Sequence, residues 1–486
     1  MKILTFILII ILSELAMSQY FDLEQKLYND YEKFREKTLT HRRFNHSDIL
    51  PLIEQLKNNK DFTVNKAGTS FEGRDLFLIS IGQGEKKVFL WSQMHGDEPT
   101  ATAAIFDIFN FLMDTSYSKI KKHILSKVKL YFLPMVNPDG AERFIRRNYF
   151  DIDINRDAVR LQSHESIILK NVFDSLKADF GFNLHDQDPR YSAGNSSKSA
   201  AISFLAPAFN YEKDVDPIRL KSILLIGSLT KMLNKFIPGH IAKYSDDFEP
   251  RAFGDNFQKW GTSTILVESG GWKDDPEKQF LRKMNFLLLV SAFNEIADGN
   301  YKNESPETYE NIPFNGRYLF DLLLRNMNLN HNGTKIKIDL GINFVEYQSK
   351  ENNKIFRRSV VQDLGDLSIF YGFEDIDFSG YDLETGKTFS DSMISIKGIN
   401  YDVLYDFYSK GYTMLSTGDS IEGRFVDLPM NLSFGEFEDR ENLPKLGQAA
   451  DFVLKKDGII KYVVINGHIQ KVQKGREFKG NGLYYK

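Results

Sequence analysis

Val88-Phe89-Leu90-Trp91-Ser92-Gln93-Met94-His95-Gly96-Asp97-Glu98-Pro99 is the stretch whose reading decides the fold. Val88 to Trp91 is a short apolar run of the kind that forms a buried strand, and from Thr100 to Met113 apolar residues recur at helical spacing. His95 and Glu98 therefore fall on a strand-to-helix turn. Turns at the carboxyl ends of strands are where open α/β sheets build their sites. An imidazole and a carboxylate three residues apart can close on one cation, and a nitrogen–oxygen donor pair suits Zn²⁺. The pair is half a metal site, so the remaining ligands must lie downstream.

The chain of 486 residues is too long for one ordinary core and predicts two or three domains. At 42% hydrophobic and 13% aromatic it can bury those cores. Lys and Arg number 62 against 66 Asp and Glu, a balance that asks for no nucleic acid partner. There is no cysteine, which excludes disulfides and thiolate ligands and leaves any zinc to His and carboxylates. At the start, Lys2, the greasy run Ile3 to Leu12 and the small residues around Ala16-Met17-Ser18 read as a signal peptide over 1–18. The run is too short for a permanent membrane anchor, so the chain is expected to be exported and to begin near Gln19 once cleaved.

Leu23 to Leu56 reads as helical up to the break at Asn58-Asn59, and Phe62 to Val64 and Asp75 to Ile81 read as strands. A further strand, Val128 to Leu133, runs toward Asn137-Pro138-Asp139-Gly140, which is turn chemistry. Beyond it stand Arg146-Arg147-Asn148 and Asp153-Ile154-Asn155-Arg156-Asp157; the planar fork of arginine grips carboxylates in two-pronged fashion. Ala178 to Leu184 is a strand running into His185, and Thr264 to Val267 is another that delivers Glu268. Taken singly, each has an ordinary reading. His185 could be a core histidine, Glu268 a cap on Ser269-Gly270-Gly271, and the arginines partners of Asp151 and Asp157.

Taken in order, these elements over residues 40–298 resemble the zinc metallocarboxypeptidase family, the carboxypeptidase A and B relatives. The resemblance implies that His95, Glu98 and His185 hold one Zn²⁺ and leave a position open for water. It implies that Glu268 is the general base and that Arg146 stabilises the oxyanion, with Arg147 one residue away in register. Asn155 and Arg156 match the pair that grips a substrate's free C-terminal carboxylate, and Tyr244 is the nearest match to the family's mobile tyrosine. Arg251 and Asp255 are alternative residues for the pocket wall. The sequence departs from the family at Asp97, an arginine in the digestive members, and at Asp151, where many relatives carry glycine.

A helix from Pro276 to Ile296 is expected to close this region, with 298–306 a polar linker. Beyond it the pattern turns to alternation and to the hairpin signals Asp457-Gly458 and Asn466-Gly467. The expected architecture is a three-layer α/β/α mixed-sheet catalytic domain over 19–300, followed by a β-rich accessory domain over 305–486 to which no chemistry is assigned. The expected function is that of an exported zinc metallocarboxypeptidase acting on peptides with a free C-terminal carboxylate. Two alternatives stand beside it: a zinc amidase or acylase on cell-wall peptides or acylated amino acids, and an inactive peptide-binding module. Asn155-Arg156 favours the first over the second, and the intact Glu98, His185 and Glu268 argue against the third.

Overall fold

The computed structural model describes residues 23–331, 333–349, 354–390, 393–435 and 443–486. The expected signal peptide lies outside them. The chain divides into two compact units, Met1–Arg317 and Tyr318–Lys486.

The first unit is built on an eight-stranded mixed sheet in the order β1-β2-β4-β3-β5-β9-β7-β8. Its strands are β1 (Thr63–Thr69), β2 (Asp75–Ile81), β3 (Lys86–Ser92), β4 (Val128–Leu133), β5 (Phe180–Asp186), β7 (Ile202–Leu205), β8 (Ile241–Lys243) and β9 (Ser263–Ser269). The central run β4, β3, β5 and β9 is parallel, and β7 turns antiparallel against β9. The central strands are apolar on both sides because helices cover both faces. On one face Phe182, Leu184 and Ile265 pack with the helices Thr100–Met113, Pro217–Leu233 and Gln279–Asp298. On the other, Phe89 and Trp91 meet Phe253 and Phe257 of the helix Phe253–Lys259 and Leu169 and Phe173 of the helix His164–Leu176.

The closing helix starts at Gln279, three residues later than Pro276 suggests. The Asp275 carboxylate accepts from the backbone N–H groups of Gln279, Phe280 and Leu281, and Lys278 takes the left-handed φ of 52° just before the first turn. The polar stretch 298–306 is not a linker. Residues 300–317 belong to the first unit: Glu304 takes the Lys231 ammonium at 2.7 Å, and Asn315–Gly316 (β10) pairs with Ser192–Ala193 (β6). The division therefore falls at Arg317, not between 300 and 305 as the polarity of the sequence suggests.

The second unit is β-rich, with the single α-helix Tyr401–Ser409 among its described residues. Its sheets are one of eight strands and one of five. Both predicted hairpins form: β20 (Phe452–Lys456), β21 (Ile459–Ile465) and β22 (His468–Lys471) are joined through Asp457-Gly458 and Asn466-Gly467, all four at positive φ. His468 is packed flat on Phe344 at 5.3 Å, and a Cβ on Gly480 would come within 2.4 Å of its ring, so that position admits only glycine.

Candidate active site

β3 and β5 deliver their side chains to the same end of the sheet. After Ser92 the chain leaves the strand, passes Gln93 at a left-handed φ of 53°, and presents His95 and Glu98 before the helix at Thr100. Gly96 is required there, because a Cβ would lie 2.0 Å from the Gly140 carbonyl carbon. His185 ends β5 and is in register with Glu268 on β9. The ligand-type atoms of His95, Glu98 and His185 lie within 4.8 Å of one another, and all three residues are buried.

Glu98 binds both imidazoles, Oε1 to His95 Nδ1 and Oε2 to His185 Nδ1, each at 2.7 Å. The far nitrogen of His95 meets Asp153 Oδ1 at 3.1 Å, while the far nitrogen of His185 is buried with no partner among the described residues. An imidazole that donates from Nε2 to Asp153 turns a lone pair toward the Glu98 oxygen unless a positive charge lies between them. The Arg146 guanidinium, 3.0 Å from His95 Nδ1, supplies such a charge, and a metal held there would supply another. Burial opposes ionising His95, yet Glu98 and Asp153 outweigh it and raise the imidazole to about 9. Burial prevails at His185 and lowers its pKa. At Glu98, burial would raise the carboxyl, but the two imidazoles hold it well below the usual range. The cluster is tuned to hold one cation. With two nitrogens, a carboxylate and no thiolate, and with a carboxylate orienting one imidazole from behind, the donor set fits Zn²⁺.

Glu268 has a buried Oε2 without a partner among the described residues, and burial, reinforced by Glu98, pushes its carboxyl well above the usual value. Arg146 reaches the centre: its guanidinium lies 3.0 Å from His95 Nδ1 and 3.2 Å from Glu98 Oε1, and Nε donates to Asp153 Oδ2 at 3.1 Å. Arg147 turns away and donates to the Asp151 carbonyl at 2.8 Å. Asp151, at the family's glycine position, holds a left-handed φ of 60°.

Asn155 is buried, and its Oδ1 accepts from Phe253 N at 3.0 Å. Arg156 is half-exposed, donates to the Asn155 carbonyl and pairs with Glu249 at 3.2 Å. It opens on a cavity of about 470 Å³ lined also by Arg147, Gln162 and Arg251. Asp255 stands behind this edge and accepts from Glu249 N at 3.0 Å; burial raises its carboxyl to about 7. Tyr244 follows β8; burial and the nearby Glu268 push its phenol up, and Asn315 beside it works the other way. Asp97 is partly buried with Oδ1 unpartnered, and burial raises its carboxyl.

Two residues of this arrangement went unassigned in the sequence. Asp153 was overlooked, although a liganding histidine ordinarily has a carboxylate behind it and Asp153 is the acid next to the Asn155-Arg156 pair. Asn315 carries no signal, being far from every motif in the chain.

Residues 49–201 match the family described as zinc carboxypeptidase. Carboxypeptidase SOL1 of Arabidopsis thaliana is 30% identical over 117 residues, 21% of this chain and 24% of that protein. Carboxypeptidase B of Astacus astacus is 33% identical over 81 residues, 16% of this chain and 26% of that protein. The carboxypeptidase A structure from Helicoverpa armigera aligns with a TM-score of 0.45 at 14% identity, covering 59% of this chain and 82% of that one. The chain spans well under half the length of the curated relatives it matches.

Proposed function

We propose, from the premise that residues 49–201 belong to the zinc carboxypeptidase family, that this chain is an exported zinc metallocarboxypeptidase that removes the C-terminal residue of a peptide. The observation that carries the proposal is the convergence of His95, Glu98 and His185 beside a partnerless Glu268 oxygen and the Arg146 guanidinium. Zinc held there supplies Lewis acidity and brings the pKa of water toward neutrality. Glu268 Oε2 accepts the proton of the attacking water and returns it to the departing amine. Arg146, aimed by Asp153, donates to the oxygen that becomes negative as the carbonyl is attacked. With Asn155 Oδ1 occupied by Phe253 N, the amide Nδ2 is left to donate to the substrate's terminal carboxylate, and Arg156 takes the same group as a charge-assisted partner. Tyr244, near Glu268, is the further substrate-facing residue of this reading. Residues 318–486 form an accessory domain without assigned chemistry.

Amidating the C-terminus of a peptide removes the charge that Arg156 would meet. kcat/KM is expected to fall by about ten- to a hundred-fold, the range for losing a charge-assisted hydrogen bond at a guanidinium that stays partly exposed. Steady-state hydrolysis of a matched acid and amide pair checks this. Equal rates would move the weight to the amidase or acylase reading. Glu268→Gln is expected to keep its zinc and lose about 10²- to 10⁴-fold in kcat, the usual contribution of a positioned base. An unchanged kcat in that variant would assign the proton to another group.

A further inference from the structure

We infer that Asn183 is the floor of the pocket for the side chain of the residue being removed, and that it selects an uncharged hydrogen-bonding side chain there, a carboxamide above all. The inference rests on the carboxypeptidase reading above and specifies its substrate.

Asn183 lies on β5 two residues before His185, so both side chains leave the same face of the sheet. Its register partners, Trp91 and Leu266, stand one step behind the His185 and Glu268 pair. The residue is 1% exposed, yet neither its Oδ1 nor its Nδ2 has a partner among the described residues. Buried side-chain amides are nearly always satisfied, and one left open at both ends is costly in a fold that could have placed leucine there.

The helix Phe253–Lys259 faces this amide with a glycine. A Cβ on Gly254 would sit 3.1 Å from Asn183 Nδ2, so any larger residue would begin to cover the donor. The residue before it, Phe253, donates its backbone N–H to Asn155 Oδ1. Two consecutive residues of the helix's first turn thus meet the proposed carboxylate clamp and the open amide. A substrate whose terminal carboxylate docks at Asn155 and Arg156 has its last side chain directed along this turn. Trp91, Phe253 and Phe257 make the surroundings apolar.

No ionised group bonds Asn183 among the described residues, so a charged substrate side chain would meet no counter-charge on the amide itself. An amide offers both donors and an acceptor, and its complement is another amide. A site built to hydrogen-bond a substrate group rejects the analogue that lacks it far more strongly than an apolar pocket rejects one of the wrong size.

The test uses the zinc-loaded full chain and peptides identical except for a C-terminal Asn, Gln, Leu or Asp. The better of Asn and Gln is expected to exceed Leu in kcat/KM by about tenfold or more, with Asp poorest. Asn183→Leu is expected to reverse the preference by about ten- to a hundred-fold and to raise Tm, since it removes two unsatisfied groups. Asn183→Ser, smaller and still polar, is expected to weaken the preference without reversing it, and it serves if the leucine variant does not fold. A wild-type preference for Leu, or a ratio unchanged in either folded variant, would overturn the inference while leaving the carboxypeptidase reading intact. Failure to cleave any of the free-acid peptides would overturn both.

Discussion

Asp153 holds two parts of the centre at once. Its Oδ1 orients His95 and also caps Asn155 N at 2.9 Å, while Oδ2 carries the Arg146 guanidinium. Loss of a ligand and loss of this support should therefore separate. His185→Ala removes a zinc donor and is expected to abolish stoichiometric zinc. Asp153→Ala leaves all three donors in place and is expected to weaken zinc by about 10- to 100-fold, the usual cost of removing the group behind a ligand. Zinc affinity from competition with a chromophoric chelator ranks the two variants. An Asp153→Ala protein with wild-type affinity would show that His95 is oriented by something else. The expected ligands and Glu268 could be picked out in the sequence because each lies at or just beyond the carboxyl end of an apolar strand, where a parallel sheet gathers its side chains. Asp153 and Asn183 could not. Their roles come from what faces them across the fold, and a single sequence carries no trace of an amide lacking partners.

At the level of elements, the segment 306–316 acts as a strap beside β8. Lys243, the last residue of β8, donates its backbone N–H to the Pro313 carbonyl at 2.8 Å. Its buried ammonium reaches the carbonyls of Tyr309 and Glu310 at 3.3 and 2.8 Å. Asn315 then donates to Gln187 Oε1 at 3.3 Å and lies close enough to Tyr244 to act on its phenol. Tyr244 is thus held through the residue before it, with Asn315 beside its side chain. Asn315→Ala is expected to lower kcat/KM by about three- to tenfold alone but to add little in a Tyr244→Phe background, the coupling seen between residues in contact. A double-mutant cycle with equal effects in both backgrounds would separate Asn315 from Tyr244. The strap was illegible because Asn315-Gly316 carries turn-forming residues, whereas in the fold it makes a two-residue strand whose partner lies more than a hundred positions earlier. The hairpins at 457–458 and 466–467 were legible for the converse reason, that their contacts are local.

For the molecule as a whole, acid sensitivity should arise in the second unit as well as at the metal centre. Burial, helped by Arg357, lowers His468 to about 4, against 6.5 for a free histidine, and its Nε2 has no partner among the described residues. The unfolded chain therefore takes up this proton first as the pH falls. Stability from the neutral ring is complete above about 6.5 and is lost progressively toward 4, by on the order of 3 kcal/mol at full extent. His468→Phe is expected to flatten that dependence. Urea midpoints of the full chain between pH 7 and 4, with hydrogen exchange to identify the unit that opens, provide the check. Parallel pH profiles for the two proteins would rule His468 out as the source.

The tie between Lys243 and the strap bears on how this protein can be dissected. A fragment ended at residue 300, where the sequence turns polar, would strip a nearly fully buried ammonium of its three acceptors on Tyr309 and Glu310 and remove Asn315 from beside Tyr244. One ended at Arg317 keeps every one of these bonds. Inactivity of the shorter piece would thus report a cut made inside the first unit, and would say nothing of whether the residues after 317 are needed.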